Sequence, residues 1–242
     1  MRAELVEFAD IAPGVRHFVF RAPEVDRVEF VPGQFVSFSA SINGKTITRA
    51  YSIASPPKTG NDNSFELCLN RVDDGAFSPH LFSMLPGDAL EMPTPLGGFV
   101  LREPLRESVF IATGTGIAPF RSMLPVALAA ERQPRITLIF GVRYQSHLLY
   151  RGEFEKMTQQ YPQFRFWPTV TQPGAEWTGR TGRVQAHLLE ALSKPGVTNP
   201  AGAVNLELDV YLCGMKAMVD EVRSLLKNMG YDRKQIRSEK YD

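Results

Sequence analysis

A chain of 242 residues with 43% hydrophobic and 22% charged side chains has room for one large domain or two of ordinary size, and this composition excludes a disordered protein. Its 27 Lys and Arg against 26 Asp and Glu leave a net charge of +1, so no bulk field draws it to nucleic acid or to a membrane surface. Two cysteines, Cys68 and Cys213, exclude a disulfide scaffold and a Cys-ligated iron–sulfur cluster within this sequence. MRAELVEFAD carries acids where a secretory signal needs an apolar stretch, and no apolar run is long enough to span a bilayer. A reduced, cytoplasmic protein with no membrane insertion is expected.

Up to about residue 100 the chain reads as short strands broken by turns. Alternation of apolar and polar residues predicts strands at 3–8, 15–21, 34–39 and 64–71. Turn formers separate them: APG at 12–14, PG at 32–33, NG at 43–44 and PPKTGNDN at 56–63. Strands at this spacing suggest a small antiparallel barrel. One short helix is predicted over 78–85, with Ser78 as N-cap and Pro86-Gly87 as its stop. Residues 102–106 are polar and read as a linker, dividing the chain at 1–102 and 103–242.

Beyond residue 107 the rhythm changes to strand, helix, strand, helix. VFIAT (109–113) precedes a helix from Ile117, ITLIFG (136–141) precedes one near Glu153, and VYLCG (210–214) precedes one from Lys216. Apolar strands alternating with amphipathic helices indicate a parallel sheet covered on both faces.

Three stretches carry chemistry. In RAYSIAS (49–55) strand alternation puts Arg49 and Tyr51 on one face and Ala50 and Ser52 on the other. A guanidinium beside a phenol offers a phosphate clamp next to a flat aromatic surface, although the same pattern also suits an ordinary strand. Gly75-Ala76-Phe77-Ser78 opens the short helix, where backbone N–H groups and a hydroxyl could meet a pyrophosphate; an ordinary capped helix reads the same way. Thr113-Gly114-Thr115-Gly116 lies at the carboxyl end of an apolar strand and opens a helix, the place where open parallel sheets bind dinucleotides. Pro119 stands where the third glycine of the usual dinucleotide fingerprint would be, and proline is tolerated in a first helical turn. His17, His80, His147 and His187 show no metal-ligand spacing, so no metal site is expected.

RAYS, GAFS, PLGGF (95–99), GTGIAPFRS (114–122), YLCG and the closing Glu239-x-Tyr241 occur in the order found in the ferredoxin–NADP reductase superfamily, which the chain resembles over essentially its whole length. LLYRGEFEKM (148–157) resembles the stretch that follows the second parallel strand in that family. The resemblance implies an N-terminal antiparallel FAD-binding β-barrel followed by a C-terminal parallel-sheet NAD(P)-binding α/β domain. It implies that Arg49, Tyr51 and Ser52 hold FAD, that Gly75, Ala76, Phe77 and Ser78 hold its pyrophosphate, and that Gly114, Thr115 and Gly116 face the nicotinamide dinucleotide. Ser52, Cys213 and Glu239 would surround the hydride path, and Tyr241 would cover the flavin, although Asp242 follows it here.

For the ribose 2′-phosphate, NADP-specific members often place Ser-Arg after the third strand, where this chain reads Val170-Thr171-Gln172. Thr171 can donate one hydrogen bond and Gln172 lacks the charge. Arg143 and Arg183 match basic positions in some bacterial NADP reductases, with Arg180 close by, so both NADP and NAD stay open. The resemblance implies an FAD-dependent reductase passing electrons from NAD(P)H to a separate redox protein such as a ferredoxin, a flavodoxin or an oxygenase component. A diaphorase-type reductase of small acceptors and a non-enzymatic flavin-binding electron-transfer subunit are the alternatives.

Overall fold

The computed structural model describes residues 1–132, 134–193 and 204–241. The chain forms two compact units: Met1–Leu101 with Ala118–Val126, and Arg102–Ile117 with Ala127–Asp242.

The first unit is built on one six-stranded sheet. Its strands are β1 (Arg2–Ala12), β2 (Val15–Arg21), β3 (Phe35–Ile42), β4 (Lys45–Ser52), β5 (Ser64–Asn70) and β6 (Ala89–Glu91), in the order β4-β3-β6-β1-β2-β5. Every pairing is antiparallel. The NG turn between β3 and β4 places Asn43 and Gly44 at φ values of 52° and 73°, the backbone of a type I′ hairpin turn that only residues tolerant of positive φ adopt easily. The sheet curls until its edges meet: Ile53, just past β4, bridges to Leu67 of β5, and the Ala54 N–H donates to the Glu66 carbonyl at 2.7 Å. The inward positions are large and apolar. Phe18, Phe20, Phe38 and Phe65 are fully buried and pack with ring centroids 5.0–6.4 Å apart, an aromatic cluster within the larger apolar interior of the barrel.

The short helix differs from the sequence expectation. Helix α1 spans Phe77–Ser83, and its N-cap is Ala76, with no side-chain cap bond. Ser78 therefore lies in the first turn rather than at the cap. Its hydroxyl turns back to accept the Val72 N–H at 2.9 Å, satisfying the loop instead of the helix end. The helix stops at Met84, whose backbone is extended, one residue before the Leu85-Pro86 step that disfavours helical conformation.

The second unit holds β7 (Ser108–Thr113), β8 (Ile136–Val142), β9 (Phe164–Val170), β10 (Arg180–Thr181), β11 (Asp209–Met215) and β12 (Ile236–Tyr241), ordered β10-β9-β8-β7-β11-β12 and parallel throughout. Helices α2 (Ala118–Ala129), α3 (Arg151–Gln160), α4 (Leu188–Leu192) and α5 (Lys216–Asn228) follow β7, β8, β10 and β11 along the chain. On one face Val109, Ile111, Ile139, Val210 and Leu212 pack against Leu188 of α4 and Met218, Val219, Val222 and Leu226 of α5. On the other, Phe154 of α3 meets Phe166 of β9 at 5.3 Å. The chain lays down β7 to β10 in one direction, then returns to place β11 beside β7. The reversal between β7 and β11 opens a crevice at the carboxyl ends of the strands, where doubly wound sheets take their ligands. The closing residues Ile236–Tyr241 form the edge strand β12. Asp242 lies outside the described residues.

Candidate cofactor and nucleotide site

At the carboxyl end of β7 the chain turns through a 3₁₀ segment, Gly114–Ile117, before entering α2. Gly114 has a φ of 54°. Gly116 is needed for a different reason: a Cβ there would overlap the Cys213 carbonyl and stand 2.7 Å from the Gly214 Cα. Gly214 answers it from β11, with a φ of 143° and a side chain's worth of space filled by Thr113, whose carbonyl oxygen would lie 2.9 Å from an added Cβ. The two loops at the switch point interlock through glycine on both sides. Of the three residues expected to face the dinucleotide, Gly114 lines the crevice, whereas Gly116 is buried against β11.

The crevice is a cavity of about 850 Å³ bounded by the ends of β7, β8, β9 and β11. Arg143, Thr171 and Arg183, the residues considered from sequence for the 2′-phosphate, line it. Arg143 donates from Nε to the Gln172 Oε1 at 3.1 Å and rests over the Tyr144 ring at 5.2 Å, leaving both Nη groups without a partner among the described residues. The Arg183 guanidinium has no partner there either. Two guanidinium groups with open Nη atoms on one cavity suit a phosphate ligand.

Arg180 is not part of this group. It forms a two-armed pair with Glu190, at 2.7 and 2.6 Å, and stacks over Trp167 at 4.0 Å. With its donors taken by a carboxylate and its flat face by an indole, Arg180 lies outside the residues that line the cavity. Tyr144, Gln185, Met215 and Glu221 also line the cavity and were not singled out from sequence. The exposed aromatic after Gly-x-Arg on a strand end was the available signal for Tyr144.

Cys213, Glu239 and Tyr241 do come together. Strand register places Glu239 opposite Cys213 and Tyr241 opposite Met215. Burial pushes the Cys213 thiol well above its ordinary range, and the Glu239 carboxylate adds to that, against opposing hydrogen bonds from Tyr241 and the Gly214 backbone. The group is therefore a neutral thiol at neutral pH, unlike the thiolate of a nucleophilic cysteine.

In the first unit, Tyr51 and Phe77 have ring centroids 6.1 Å apart, so the RAYS strand and the GAFS turn meet. Burial pushes the Tyr51 phenol up to about 12, with Arg49 pulling the other way. Arg49 is exposed, spends one N–H on the Thr48 carbonyl at 2.8 Å and keeps the rest open. Ser52 is buried at the end of β4. Gly75 donates to the Val72 carbonyl at 2.9 Å, in the turn that Ser78 also stabilises, and Phe77 is buried in the core. A phenol edge and an open guanidinium on one strand fit a flavin nucleotide, and the glycine-bounded crevice, with open Nη atoms on Arg143 and Arg183, fits a nicotinamide dinucleotide.

Sequence reading missed the anchor of this strand. Arg121 donates to the Ala54 carbonyl at 3.0 Å and to Glu66 at 2.5 Å, and Glu66 also receives Lys58 at 3.1 Å. Burial draws Glu66 upward, but Arg121 and Lys58 overcome it and hold the carboxyl below its usual range. Ala54 lies two residues beyond Ser52.

The family model of an oxidoreductase FAD-binding domain matches residues 2–101, and that of an oxidoreductase NAD-binding domain matches residues 110–224. The chain is 35% identical to ferredoxin–NADP reductase B of Sorangium cellulosum, covering 99% of this chain and 97% of that protein. It is 29% identical to the anthranilate 1,2-dioxygenase electron transfer component of Acinetobacter baylyi, covering 90% of this chain and 60% of that protein. The solved ferredoxin–NADP⁺ reductase of Neisseria gonorrhoeae, with bound FAD and NADP, superposes with a TM-score of 0.80 at 23% identity over 99% of this chain and 98% of its own. At that identity the superposition speaks for the fold alone. An FAD-binding barrel and an NAD-binding parallel sheet in one chain, matched end to end by a relative, place the protein in the ferredoxin–NADP reductase superfamily of oxidoreductases.

Proposed function

We propose that the chain takes electrons from NAD(P)H through FAD and delivers them singly to a separate redox protein: a ferredoxin, a flavodoxin or an oxygenase component. The observation that supports this most strongly is the cavity at the β7/β11 reversal, lined by Gly114 and by Arg143 and Arg183 with open guanidinium Nη atoms. The relatives named above, a ferredoxin–NADP reductase and a dioxygenase electron transfer component, point to the same kind of acceptor.

Residues 1–102 carry FAD in this reading and residues 103–242 carry the dinucleotide. Arg49 neutralises flavin phosphate charge, Tyr51 presents its ring to the isoalloxazine, and Ser52 offers a hydroxyl at the end of β4. Gly75, Ala76 and the first turn of α1 approach the pyrophosphate with backbone, while Phe77 supports Tyr51 from beneath and Ser78 fixes the turn. FAD held by these residues would supply the conversion of an electron pair into single electrons, chemistry that the protein's own side chains lack. In the second unit Gly114 and Thr115 bring the backbone to the dinucleotide, and Thr171, Arg143 and Arg183 contact its phosphate-bearing ribose. Cys213, held neutral, and Glu239 orient the nicotinamide, and Tyr241 occupies the adjoining strand end as the aromatic it must displace.

The test is carrier dependence. With FAD-loaded protein and NADPH, reduction of cytochrome c should rise steeply on adding a ferredoxin or flavodoxin. A rate that ignores added carrier, with free quinones reduced quickly, would favour a reductase of small acceptors instead.

A further inference from the structure

We propose that Gln172 is a positioning residue for nucleotide choice: its amide oxygen holds Arg143 by Nε and leaves both Nη groups free for the 2′-phosphate that separates NADPH from NADH. The inference rests on the proposed reading of the cavity as a dinucleotide site. Its geometry begins in the backbone. The ladder between β8 and β9 runs on past both strands, with the Thr171 N–H donating to the Val142 carbonyl at 3.0 Å and the Gln172 N–H to the Arg143 carbonyl at 2.8 Å. Residues 143 and 172 are thereby fixed side by side before either side chain is considered. Gln172 Oε1 then accepts from Arg143 Nε at 3.1 Å, and the guanidinium lies 5.2 Å from the Tyr144 ring centroid.

Arg143 is exposed and would otherwise sample many rotamers. An acceptor on Nε and an aromatic face restrict it while both terminal nitrogens stay open. The choice of an amide matters. A carboxylate at this position would hold Nε more strongly but cancel the positive charge that a phosphate needs. A neutral acceptor orients the guanidinium and leaves its charge intact. The carboxylate on this cavity, Glu221, is instead hydrogen-bonded by Gln185 at 2.7 Å. Gln172, neutral itself, thus makes the arginine that follows the neighbouring strand more effective.

The test uses FAD-loaded protein in four forms: wild type, Gln172→Met, Arg143→Ala and the double variant. Methionine keeps the length and removes the acceptor. Steady-state kcat and KM are measured with NADPH and with NADH, and dissociation constants with adenosine 2′,5′-bisphosphate and AMP. Gln172→Met should raise the KM for NADPH by about three- to tenfold, less than the full worth of a hydrogen bond to a charged group because the phosphate contacts of Arg143 are loosened rather than removed, and weaken the bisphosphate similarly. Values for NADH and AMP, and kcat with either nucleotide, should hold. Arg143→Ala should lose at least as much, and adding Gln172→Met to it should cost nothing further. An equal loss from Gln172→Met in the Arg143→Ala background would overturn the proposal, because Gln172 would then act on the phosphate itself. An unchanged NADPH preference in Gln172→Met, with Arg143→Ala impaired, would overturn it and leave the phosphate site standing. An unchanged preference in Arg143→Ala would overturn both the positioning role and the phosphate reading of this corner.

Discussion

Gly116→Ala measures how tightly the nucleotide loop is wedged against β11. The added methyl would overlap the Cys213 carbonyl and lie 2.7 Å from the Gly214 Cα, all of it backbone inside a parallel sheet. No flexible side chain can give way, and Gly214 itself is held at a φ of 143° against Thr113. Forcing one methyl into a packed site costs about 1–3 kcal/mol, and an obstacle made of strand backbone puts this case near 3. For a chain of this size that is a fall in Tm of roughly 6–12 °C. Gly152→Ala is the matched control: it lies in the first turn of α3, has nothing within 4 Å of an added Cβ, and should gain up to about 0.5–1 kcal/mol. Thermal and urea unfolding of FAD-loaded protein, together with nucleotide affinity, supply the assay. Gly116→Ala should also weaken nucleotide binding, since the Gly114–Ile117 turn must move. If it unfolds within about 0.5 kcal/mol of wild type and binds nucleotide equally well, the interlocked-loop reasoning is wrong.

Arg49→Ala removes an exposed side chain, so stability should hold while FAD affinity falls about ten- to a hundredfold, the equivalent of ~1.5–3 kcal/mol; fluorescence titration of apoprotein with FAD checks this. Arg180→Ala breaks a partly exposed pair with Glu190 and a stack on Trp167, so it should cost about 1 kcal/mol or less of stability and leave the ratio of kcat/KM for NADPH and NADH as in wild type. His187 is held below its ordinary range by burial first and then by Arg180, against the Thr181 carbonyl and Glu190. The unfolded chain then binds the proton more readily, so this contribution is fully present above about pH 6.5 and is lost as pH falls from there through the lower folded value. Urea unfolding across that interval should show the loss, and His187→Gln should flatten it.

How much of this was legible in the sequence depended on which force shaped each element. Strands β7, β8 and β11 are covered on both faces, so they read as unbroken apolar runs and announce themselves. The barrel strands alternate, and the Asn43-Gly44 turn carries its own backbone requirement. Strand β9 was reached only through the family pattern, since FRFWPTV is broken by Pro168 and two polar positions. Strand β12, IRSEKY, has one neighbour and a polar composition; only its pairing with β11 makes it a strand, and that is a tertiary fact. Ser78 looked like a cap because serine favours that role, but the Val72 N–H competed for the same oxygen and won. Arg143 and Arg183 were singled out by position in the family pattern, and both line the cavity. Arg180 was grouped with them by proximity in sequence, and only the fold shows Glu190 and Trp167 taking its donors and its face. The link from Arg121 to Ala54 and Glu66 joins residues 55–67 positions apart, beyond any local pattern.

The central claim, that this chain draws electrons from a nicotinamide nucleotide into a flavin, is tested most directly by adding NADPH without oxygen to the FAD-loaded protein and following the flavin absorbance by stopped flow. The account predicts rapid bleaching of the oxidised flavin spectrum, at a lower apparent affinity in Arg143→Ala. A flavin that stays oxidised with both NADPH and NADH, yet is bleached by dithionite, would contradict it.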